Sequence, residues 1–232
     1  MNLDTVKSKT SSATDRSLEL RSRVLDDFLN ALPADATFYA SLAAKRAIPQ
    51  AWAEKMRLKP LTAASARDAI AHINEQHGRN SLSEAGLLNA DGNIPGALLA
   101  DNTLIPYLDH DGHVQKIRPH KMGLPGDPIA VYSPFILAET KASEIVLTEG
   151  EFKAIAACAA GFPCLAVPGI SSFVGAHYPE LRDLLKRHGI RSVTICFDNT
   201  DAPKADPAYP SGRDDTNFYA VLLAKMLSED GF

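Results

Sequence analysis

The last third of the chain alternates between short apolar runs and stretches with helical spacing. The apolar runs, which are typical of buried strands, are Ile145–Thr148, Cys164–Val167 and Val193–Phe197. The helical stretches are about Phe152–Ala160, Pro179–His188 and Thr216–Ser228. Such alternation predicts an α/β fold, in which a parallel sheet with right-handed crossovers has helices on its faces.

The earlier part of the chain has a different pattern. Apolar residues recur at helical spacing from Leu18 to Asn30, and shorter helical patterns follow in FYASLAAKRA, PQAWAEKMR and TAASARDAIAHINEQHG. The later stretch TLIPYLDHDGHVQKIRPHK predicts a hairpin, with strands Leu104–Leu108 and Val114–Arg118 around an Asp-Gly turn. This part is therefore predicted to mix helices with a small antiparallel sheet.

These patterns divide the chain into three parts. Residues 1–17 are rich in Ser, Thr and Lys and predict a disordered tail. Residues 18–140 form the mixed α+β region, and residues 141–232 form the α/β domain. The chain ends where a fourth strand of that domain is expected to begin, so we expect the domain to be truncated and the chain to be a fragment of a longer protein.

Composition restricts the functional classes without choosing one. The net charge of -4 excludes a generally basic surface, so any nucleic acid must be bound by a local basic patch. No apolar run approaches the length of a membrane span, and the polar N-terminus is not a signal peptide, so we expect a cytoplasmic protein without membrane contact. Three separated cysteines, Cys158, Cys164 and Cys196, are interpreted as buried thiols in a reducing compartment.

Carboxylates follow two of the predicted parallel strands. Glu149 comes directly after the first strand, and Asp198 comes directly after the third. Because parallel strands end at one edge of a sheet, where ligands bind, the two carboxylates are expected to lie together. The loop after Asp198 adds Asp201, Asp206, Asp214 and Asp215. Clustered carboxylates repel one another unless a cation neutralises them, and ligands that are all oxygen suit Mg²⁺. Asp206 and Asp214 are interpreted as part of an acidic solvated loop.

The densest basic cluster in the chain lies on and just after the second strand of the predicted hairpin. It consists of Lys116, Arg118, His120 and Lys121. Two interpretations remain open, namely a solvated strand face and a surface that contacts phosphates.

Three motifs, taken in order, resemble the TOPRIM domain of DnaG-type primases, phage primase–helicases, topoisomerases and some nucleases. LTEGEFKAIAA is similar to the glutamate motif of that domain, CLAVPGISSF to its Pro-Gly loop and ICFDNTDA to its aspartate motif. Together with LLNADGNIPGALLADNTLIPYLDHDGHVQKIRPHK, they resemble primase-like replication proteins of phages and plasmids. The resemblance covers about residues 40–232.

The resemblance implies metal-dependent nucleotidyl transfer, in which RNA primers are made from nucleoside triphosphates on single-stranded DNA, with a helicase domain or subunit as a partner. Glu149 would be the general acid or base, and Asp198 and Asp201 would hold Mg²⁺ or Mn²⁺. Gly150 would let the backbone approach a phosphate. Lys153 is either a further phosphate contact or an ordinary surface lysine. Template phosphates would be bound by Lys116, Arg118 and Lys121.

The sequence departs from the TOPRIM pattern in its aspartate motif and in what precedes it. Thr200 stands where the second acid is usual, and Asp201 follows one residue later. No cysteine-rich zinc-binding module precedes the domain. Two alternatives therefore stay open, which are a metal-dependent nuclease and a non-catalytic nucleic-acid-binding or assembly module with a decayed metal site. The absence of G-x-x-x-x-G-K-[ST] excludes a P-loop ATPase within this chain.

Overall fold

The computed structural model describes residues 13–120, 122–124, 130–137, 141–198 and 215–232. The predicted site residues Lys121 and Asp201, as well as Thr200, lie outside this part of the chain.

The N-terminal region is built from four helices, a short 3₁₀ helix and three strands. The helices are α1 (Ala13–Ala31), α2 (Ala36–Arg46), α3 (Gln50–Lys55) and α4 (Ala63–Glu84), and the 3₁₀ helix is Gly96–Leu99. The strands are β1 (Lys59–Leu61), β2 (Asn102–Leu108) and β3 (Val114–Pro119). Helix α1 begins five residues before Leu18, where the apolar spacing starts, because a helix can extend through polar residues that carry no amphipathic signal.

Local sequence signals explain where two of these helices begin. The Asp35 carboxylate accepts a hydrogen bond of 2.8 Å from the Phe38 backbone N–H, which caps α2. Thr62 and Ser65 exchange side-chain-to-backbone hydrogen bonds and form a capping box at the start of α4. Helix α4 is kinked at Gly78, which has a φ of 74°. None of the described helices is both long and apolar enough to cross a membrane.

The predicted hairpin is present and belongs to a three-stranded antiparallel sheet of order β1-β2-β3. Its turn is closed by the Asp109 side chain, which accepts hydrogen bonds from the backbone N–H groups of Asp111 and His113, each 2.9 Å long. The register pairs Tyr107 with Lys116, and an irregularity follows between Tyr107 and Leu108. The end of β3 that lies away from the turn reaches the C-terminal region, where Arg118 donates a hydrogen bond to Glu151.

The C-terminal region contains the predicted parallel sheet with helices. The strands are β4 (Glu144–Thr148), β5 (Cys164–Ala166) and β6 (Ser192–Cys196), and the helices are α5 (Pro134–Leu137), α6 (Glu151–Ala159), α7 (Ile170–Phe173), α8 (Tyr178–Arg187) and α9 (Asp215–Glu229). The strand order is β5-β4-β6, and both pairings are parallel. Strand β4 is therefore central, and the residues that follow β4 and β6 leave the sheet at one edge.

One hydrophobic core joins the two regions, and a second lies within the first region. The shared core contains Leu42 from α2, Ile48 from the loop between α2 and α3, Tyr107 from the hairpin and Leu147 from the parallel sheet. The second core lies where α1 and α4 pack near the antiparallel sheet, and it includes Phe28. Both backbone hydrogen bonds between Tyr132 and Ala166 are 2.8 Å long. The residues before the predicted boundary at 140 thus pack on the parallel sheet.

The cysteine prediction is correct for two residues and wrong for the third. Cys158 and Cys164 are buried free thiols, and burial raises the pKa of Cys158 to about 11 and that of Cys164 to about 12. Cys196 is exposed. It lies on β6, an edge strand on which Ser192, Thr194 and Cys196 alternate with less exposed residues, so its apolar neighbours do not enclose it.

Replacing Leu147 by Ala should lower the free energy of unfolding by about 2–5 kcal/mol, because the side chain is fully buried on the central strand. Urea denaturation followed by circular dichroism would measure the loss. Leu18→Ala is the matched control, since the same atoms are removed from a residue that is 54% exposed. Its effect should stay below about 0.5 kcal/mol. Similar losses in both variants would contradict the assignment of β4 to the core.

Candidate active site

The two carboxylates that follow β4 and β6 meet at one edge of the parallel sheet. Thr148 and Cys196 are paired at the ends of these strands, so the chain leaves both strands at the same level. The Asp198 backbone N–H donates a hydrogen bond of 3.3 Å to Glu149 Oε1. The structure therefore brings together the two acidic residues that the sequence pattern placed at a common edge.

Gly150 makes the turn from β4 into α6. Its φ of 83° and ψ of 134° lie in a region that favours glycine, and no side chain caps the helix that follows. The first backbone N–H groups of a helix have no partner within it, and they attract anions. Gly169, with a φ of 82°, makes a similar turn after β5. The chain thus passes through a glycine turn after β4 and after β5, on the side of the sheet where the carboxylates lie.

Lys153 lies on the first turn of α6 and contacts both carboxylates. Its Nζ atom is 2.5 Å from Asp198 Oδ1 and 3.5 Å from Glu149 Oε1. The ammonium group therefore partly balances the two negative charges. The sequence left open whether Lys153 is a phosphate contact or an ordinary surface lysine. In the structure it contacts carboxylates that follow two different strands.

The carboxylates and Lys153 line a cavity of about 420 Å³ that also contains groups from the N-terminal region. Its ionisable side chains are Glu149, Glu151, Asp198, Lys153, Arg46, Arg118 and His120. Gly150 and Gly169 contribute backbone to the wall. Groups of both signs thus face one space between the antiparallel hairpin and the edge of the parallel sheet.

Burial raises the pKa of Glu149, and the nearby Asp198 side chain raises it further, whereas the hydrogen bond from the Asp198 backbone N–H lowers it. The Lys153 ammonium opposes these effects and lowers the same pKa, but it does not cancel them. The carboxyl of Glu149 consequently holds its proton to a higher pH than an ordinary glutamate does. A raised pKa suits a group that exchanges protons near neutral pH.

Glu151, the residue after the Glu-Gly pair, links α6 to the hairpin. Its Oε1 atom accepts hydrogen bonds from Tyr107 Oη at 2.8 Å and from Arg118 Nη1 at 2.7 Å. The side chain is only 5% exposed. Burial and the nearby Glu151 charge raise the pKa of Tyr107, which keeps its hydroxyl protonated as a donor. Sequence reasoning missed Glu151, although a charged residue on the buried side of α6 was visible from the apolar positions around it.

The predicted phosphate-binding cluster on β3 is divided by the structure. Lys116 is 7% exposed, and its Nζ atom lies 4.4 Å from the centre of the Tyr107 ring. Arg118 lines the cavity while it pairs with Glu151. His120 also lines the cavity, and its ring stacks on Phe152 with 4.4 Å between ring centres. The burial of Lys116 leaves its ammonium little surface for a ligand.

Arg46 is a cavity residue that sequence reasoning missed. It is the last residue of α2, and its guanidinium carbon lies 5.4 Å from the centre of the Phe152 ring. Phe152 therefore contacts both His120 and Arg46. A basic residue at the end of a helix is too common to indicate a site by itself. Only the packing of α2 near α6 shows that Arg46 reaches the carboxylate edge.

A separate group of possible metal ligands lies at the hairpin turn. Oxygen and nitrogen atoms of Asp109, His110 and Asp111 all lie within 4.8 Å of one another. His110 and Asp111 are exposed, and Asp109 already closes the turn through its hydrogen bonds. These residues line no part of the cavity that contains Glu149. Their arrangement is accounted for by the turn.

Comparison with known proteins gives one family match and several structural matches. A family model described as a domain of unknown function (DUF3854) matches residues 136–209, which include the Glu-Gly, Pro-Gly and aspartate motifs. No curated protein matches the chain. The DnaG primase catalytic domain bound to ssDNA superposes with a TM-score of 0.59 at 14% identity, covering 88% of this chain and 66% of that one. The fold is primase-like.

Two further primases support the same conclusion about the fold. The zinc-binding and RNA polymerase domains of the Aquifex aeolicus primase match with a TM-score of 0.56 and 17% identity, over 92% of this chain and 53% of that one. The RNA polymerase domain of Mycobacterium tuberculosis primase DnaG matches with a TM-score of 0.56 and 18% identity, over 85% and 68%. The chain thus spans about half to two thirds of these proteins. Identities this low establish a common fold alone.

Replacing Arg118 by Met should lower the free energy of unfolding by about 3–5 kcal/mol, because Glu151 would remain buried without its cationic partner. Urea denaturation would measure the change. Arg182→Met is the control, since the Arg182 guanidinium pairs with its exposed neighbour Asp183. That variant should lose less than about 0.5 kcal/mol. An Arg118 variant as stable as the control would show that the pair does not hold the hairpin to α6.

Proposed function

We propose that this chain is a primase-like TOPRIM protein that synthesises RNA primers on single-stranded DNA by metal-dependent nucleotidyl transfer, in the cytoplasm, during replication of a phage or plasmid. The observation that carries the proposal is the meeting of Glu149 and Asp198, together with basic side chains, in one cavity of a primase-like fold. The cavity is lined by Glu149 and Gly150 of the Glu-Gly motif, by Pro168 and Gly169 of the Pro-Gly motif and by Asp198, the first acid of the aspartate motif.

The donor atoms at the edge of the sheet fit a hard divalent cation. The Glu149 and Asp198 side chains offer carboxylate oxygens only, which suit Mg²⁺ or Mn²⁺. Asp198 and Asp201 would hold the cation, and Asp201 takes part in this proposal through its position in the aspartate motif. Bound there, the cation would neutralise charge that develops on phosphate oxygens during transfer.

Glu149 acts in this proposal as the general acid or base. Its raised pKa makes it a better proton acceptor than an ordinary glutamate, and it lies beside the oxygens that would hold the metal. In primer synthesis it takes the proton from the attacking 3′-hydroxyl. Gly150 brings the backbone N–H groups at the start of α6 close to the triphosphate.

The basic side chains of the cavity bind phosphates of the template or of the nucleoside triphosphate. Arg46, Arg118 and His120 approach from the N-terminal region, and Lys153 approaches from α6. Arg118 is already oriented by Glu151, so it can contact an anion at little cost in side-chain entropy. The buried Lys116 serves packing over Tyr107 and is left out of the phosphate contacts, whereas Lys121 remains a predicted contact.

Two other functions use the same residues differently. A metal-dependent nuclease would need the same acids and would cleave DNA where a primase extends a primer. A non-catalytic module would bind single-stranded DNA without metal and without turnover. Of these three functions, only primer synthesis would call for a helicase domain or subunit as a partner.

Glu149→Gln should abolish ribonucleotide incorporation on single-stranded DNA with Mg²⁺, because the nearly isosteric amide cannot exchange a proton. Incorporation of labelled nucleotide by the 232-residue chain would measure it. Glu144→Gln is the matched control, since the same change is made at the exposed start of the same strand. Circular dichroism should show both variants folded. The control should retain activity.

Three results of that assay would argue against primer synthesis or against the role of Glu149. Primer synthesis by Glu149→Gln at the wild-type rate would remove the residue from the mechanism. DNA cleavage without incorporation, lost in the same variant, would favour the nuclease. Binding of single-stranded DNA with neither activity would favour the non-catalytic module.

Arg46→Met should weaken binding of single-stranded DNA and reduce the slope of log affinity against log salt by about 0.7, the value expected for one lost phosphate contact. Fluorescence anisotropy of a labelled oligonucleotide over a salt series would measure both quantities. Arg187→Met removes the same charge from the exposed end of α8, away from the cavity, and should leave the slope unchanged. An equal slope in wild type and Arg46→Met would exclude a phosphate contact by Arg46.

A further inference from the structure

The ammonium group of Lys153 lies where a cation shared by Glu149 and Asp198 would lie. It is 2.5 Å from an oxygen of Asp198 and 3.5 Å from an oxygen of Glu149, so a single nitrogen contacts both carboxylates. The two carboxylates are themselves close, because the Asp198 backbone N–H donates to the same Glu149 oxygen that faces Lys153. One positive charge thus serves two acids from different strand ends.

This placement follows from the sequence and the sheet together. Lys153 is the third residue of α6, which starts directly after the Gly150 turn, so its side chain lies close to Glu149 at the end of β4. Asp198 then arrives from β6, the neighbour of β4 in the parallel sheet. If Asp198 were absent, Lys153 would make an ordinary surface ion pair with Glu149 across the Gly150 turn. With Asp198 present, it becomes the counter-ion of the acidic edge.

A lysine ammonium and a divalent cation cannot both occupy this position. Mg²⁺ and Mn²⁺ bind carboxylate oxygens at little more than 2 Å, and the ammonium hydrogens use those same oxygens. Electrostatic repulsion opposes the approach of the metal for as long as Lys153 stays. The ion pair is nevertheless open to exchange, because the Lys153 side chain is 45% exposed and that of Asp198 is 63% exposed.

We propose that Lys153 is a built-in counter-ion that competes with the divalent cation for Glu149 and Asp198. The proposal rests on the metal site of the proposed function and goes beyond it, because it makes metal affinity depend on a residue that ligates no metal. Without metal, Lys153 holds the two carboxylates together. When a metal binds, the ammonium moves away from the carboxylates and becomes available to a phosphate.

The test is the affinity for Mn²⁺ alone, measured by isothermal titration calorimetry on the 232-residue chain. Lys153→Met keeps the length of the side chain and removes its charge, so Mn²⁺ should bind about tenfold more tightly than to wild type. Lys153→Arg keeps the charge and should bind Mn²⁺ as weakly as wild type. Lys225→Met, in an exposed pair with Glu229, changes the net charge equally and should also match wild type.

Thermal unfolding gives a second readout that does not depend on activity. Without metal, Lys153→Met should unfold at a lower temperature than wild type, because Glu149 and Asp198 lose their counter-ion. Saturating Mn²⁺ should restore the loss, so that the gain in Tm on adding metal is larger for this variant than for wild type. Circular dichroism before heating would show that the variant is folded, and Lys153→Gln provides a second neutral side chain if the Met variant is not.

The failure of this inference can be told apart from the failure of the proposed function. If Asp198→Asn loses Mn²⁺ binding while Lys153→Met binds it as wild type does, the metal site stands and the competition by Lys153 is overturned. If Lys225→Met also binds Mn²⁺ more tightly than wild type does, the change in affinity is explained by net charge alone. That result would also overturn the competition by Lys153. If neither wild type nor Lys153→Met binds Mn²⁺, both the inference and the metal site fall.

Discussion

The parallel pairing of β4 with both of its neighbours is the constraint on which the site depends. Because β4 lies between β5 and β6 and runs in the same direction, three strand ends reach one edge of the sheet. The residues after those ends, including Glu149 and Asp198, are then adjacent without any local sequence contact. An antiparallel β6 would have placed the two carboxylates at opposite edges, whatever their spacing along the chain.

The second requirement is that the N-terminal region be held against this edge, and Glu151 supplies a specific part of that attachment. Its buried carboxylate accepts hydrogen bonds from Tyr107 and Arg118 on the hairpin, while its backbone begins α6 beside the carboxylate edge. Apolar packing alone would define the position of the hairpin relative to α6 less specifically, because the hydrophobic effect is non-directional. Glu151 is therefore buried, contacts the hairpin and lines the cavity.

The cavity combines carboxylates with basic groups, and the balance between them determines what it can bind. Lys153 contacts both acids of the sheet edge, whereas Arg46 and His120 contact the Phe152 ring. The Arg46 guanidinium keeps its positive charge while it lies over the ring, so that charge can still attract an anion. Such a site is suited to a ligand that carries phosphate and brings a cation with it, which is the chemistry proposed for this protein.

The elements that depend on local periodicity could be predicted from the amino-acid sequence. Alternating apolar runs and helical stretches predicted the parallel sheet, the Asp-Gly turn predicted the hairpin, and the positions of Glu149 and Asp198 after two strands predicted that they meet. Which charged side chains face the cavity could not be predicted in this way, because it depends on how the elements pack. Lys116 and Arg118 share a strand, yet one is buried over Tyr107 and the other lines the cavity, and Arg46 arrives from a distant helix. The reason is physical: periodicity reports which residues share a face of one element, whereas the approach of two elements is set by how their cores pack.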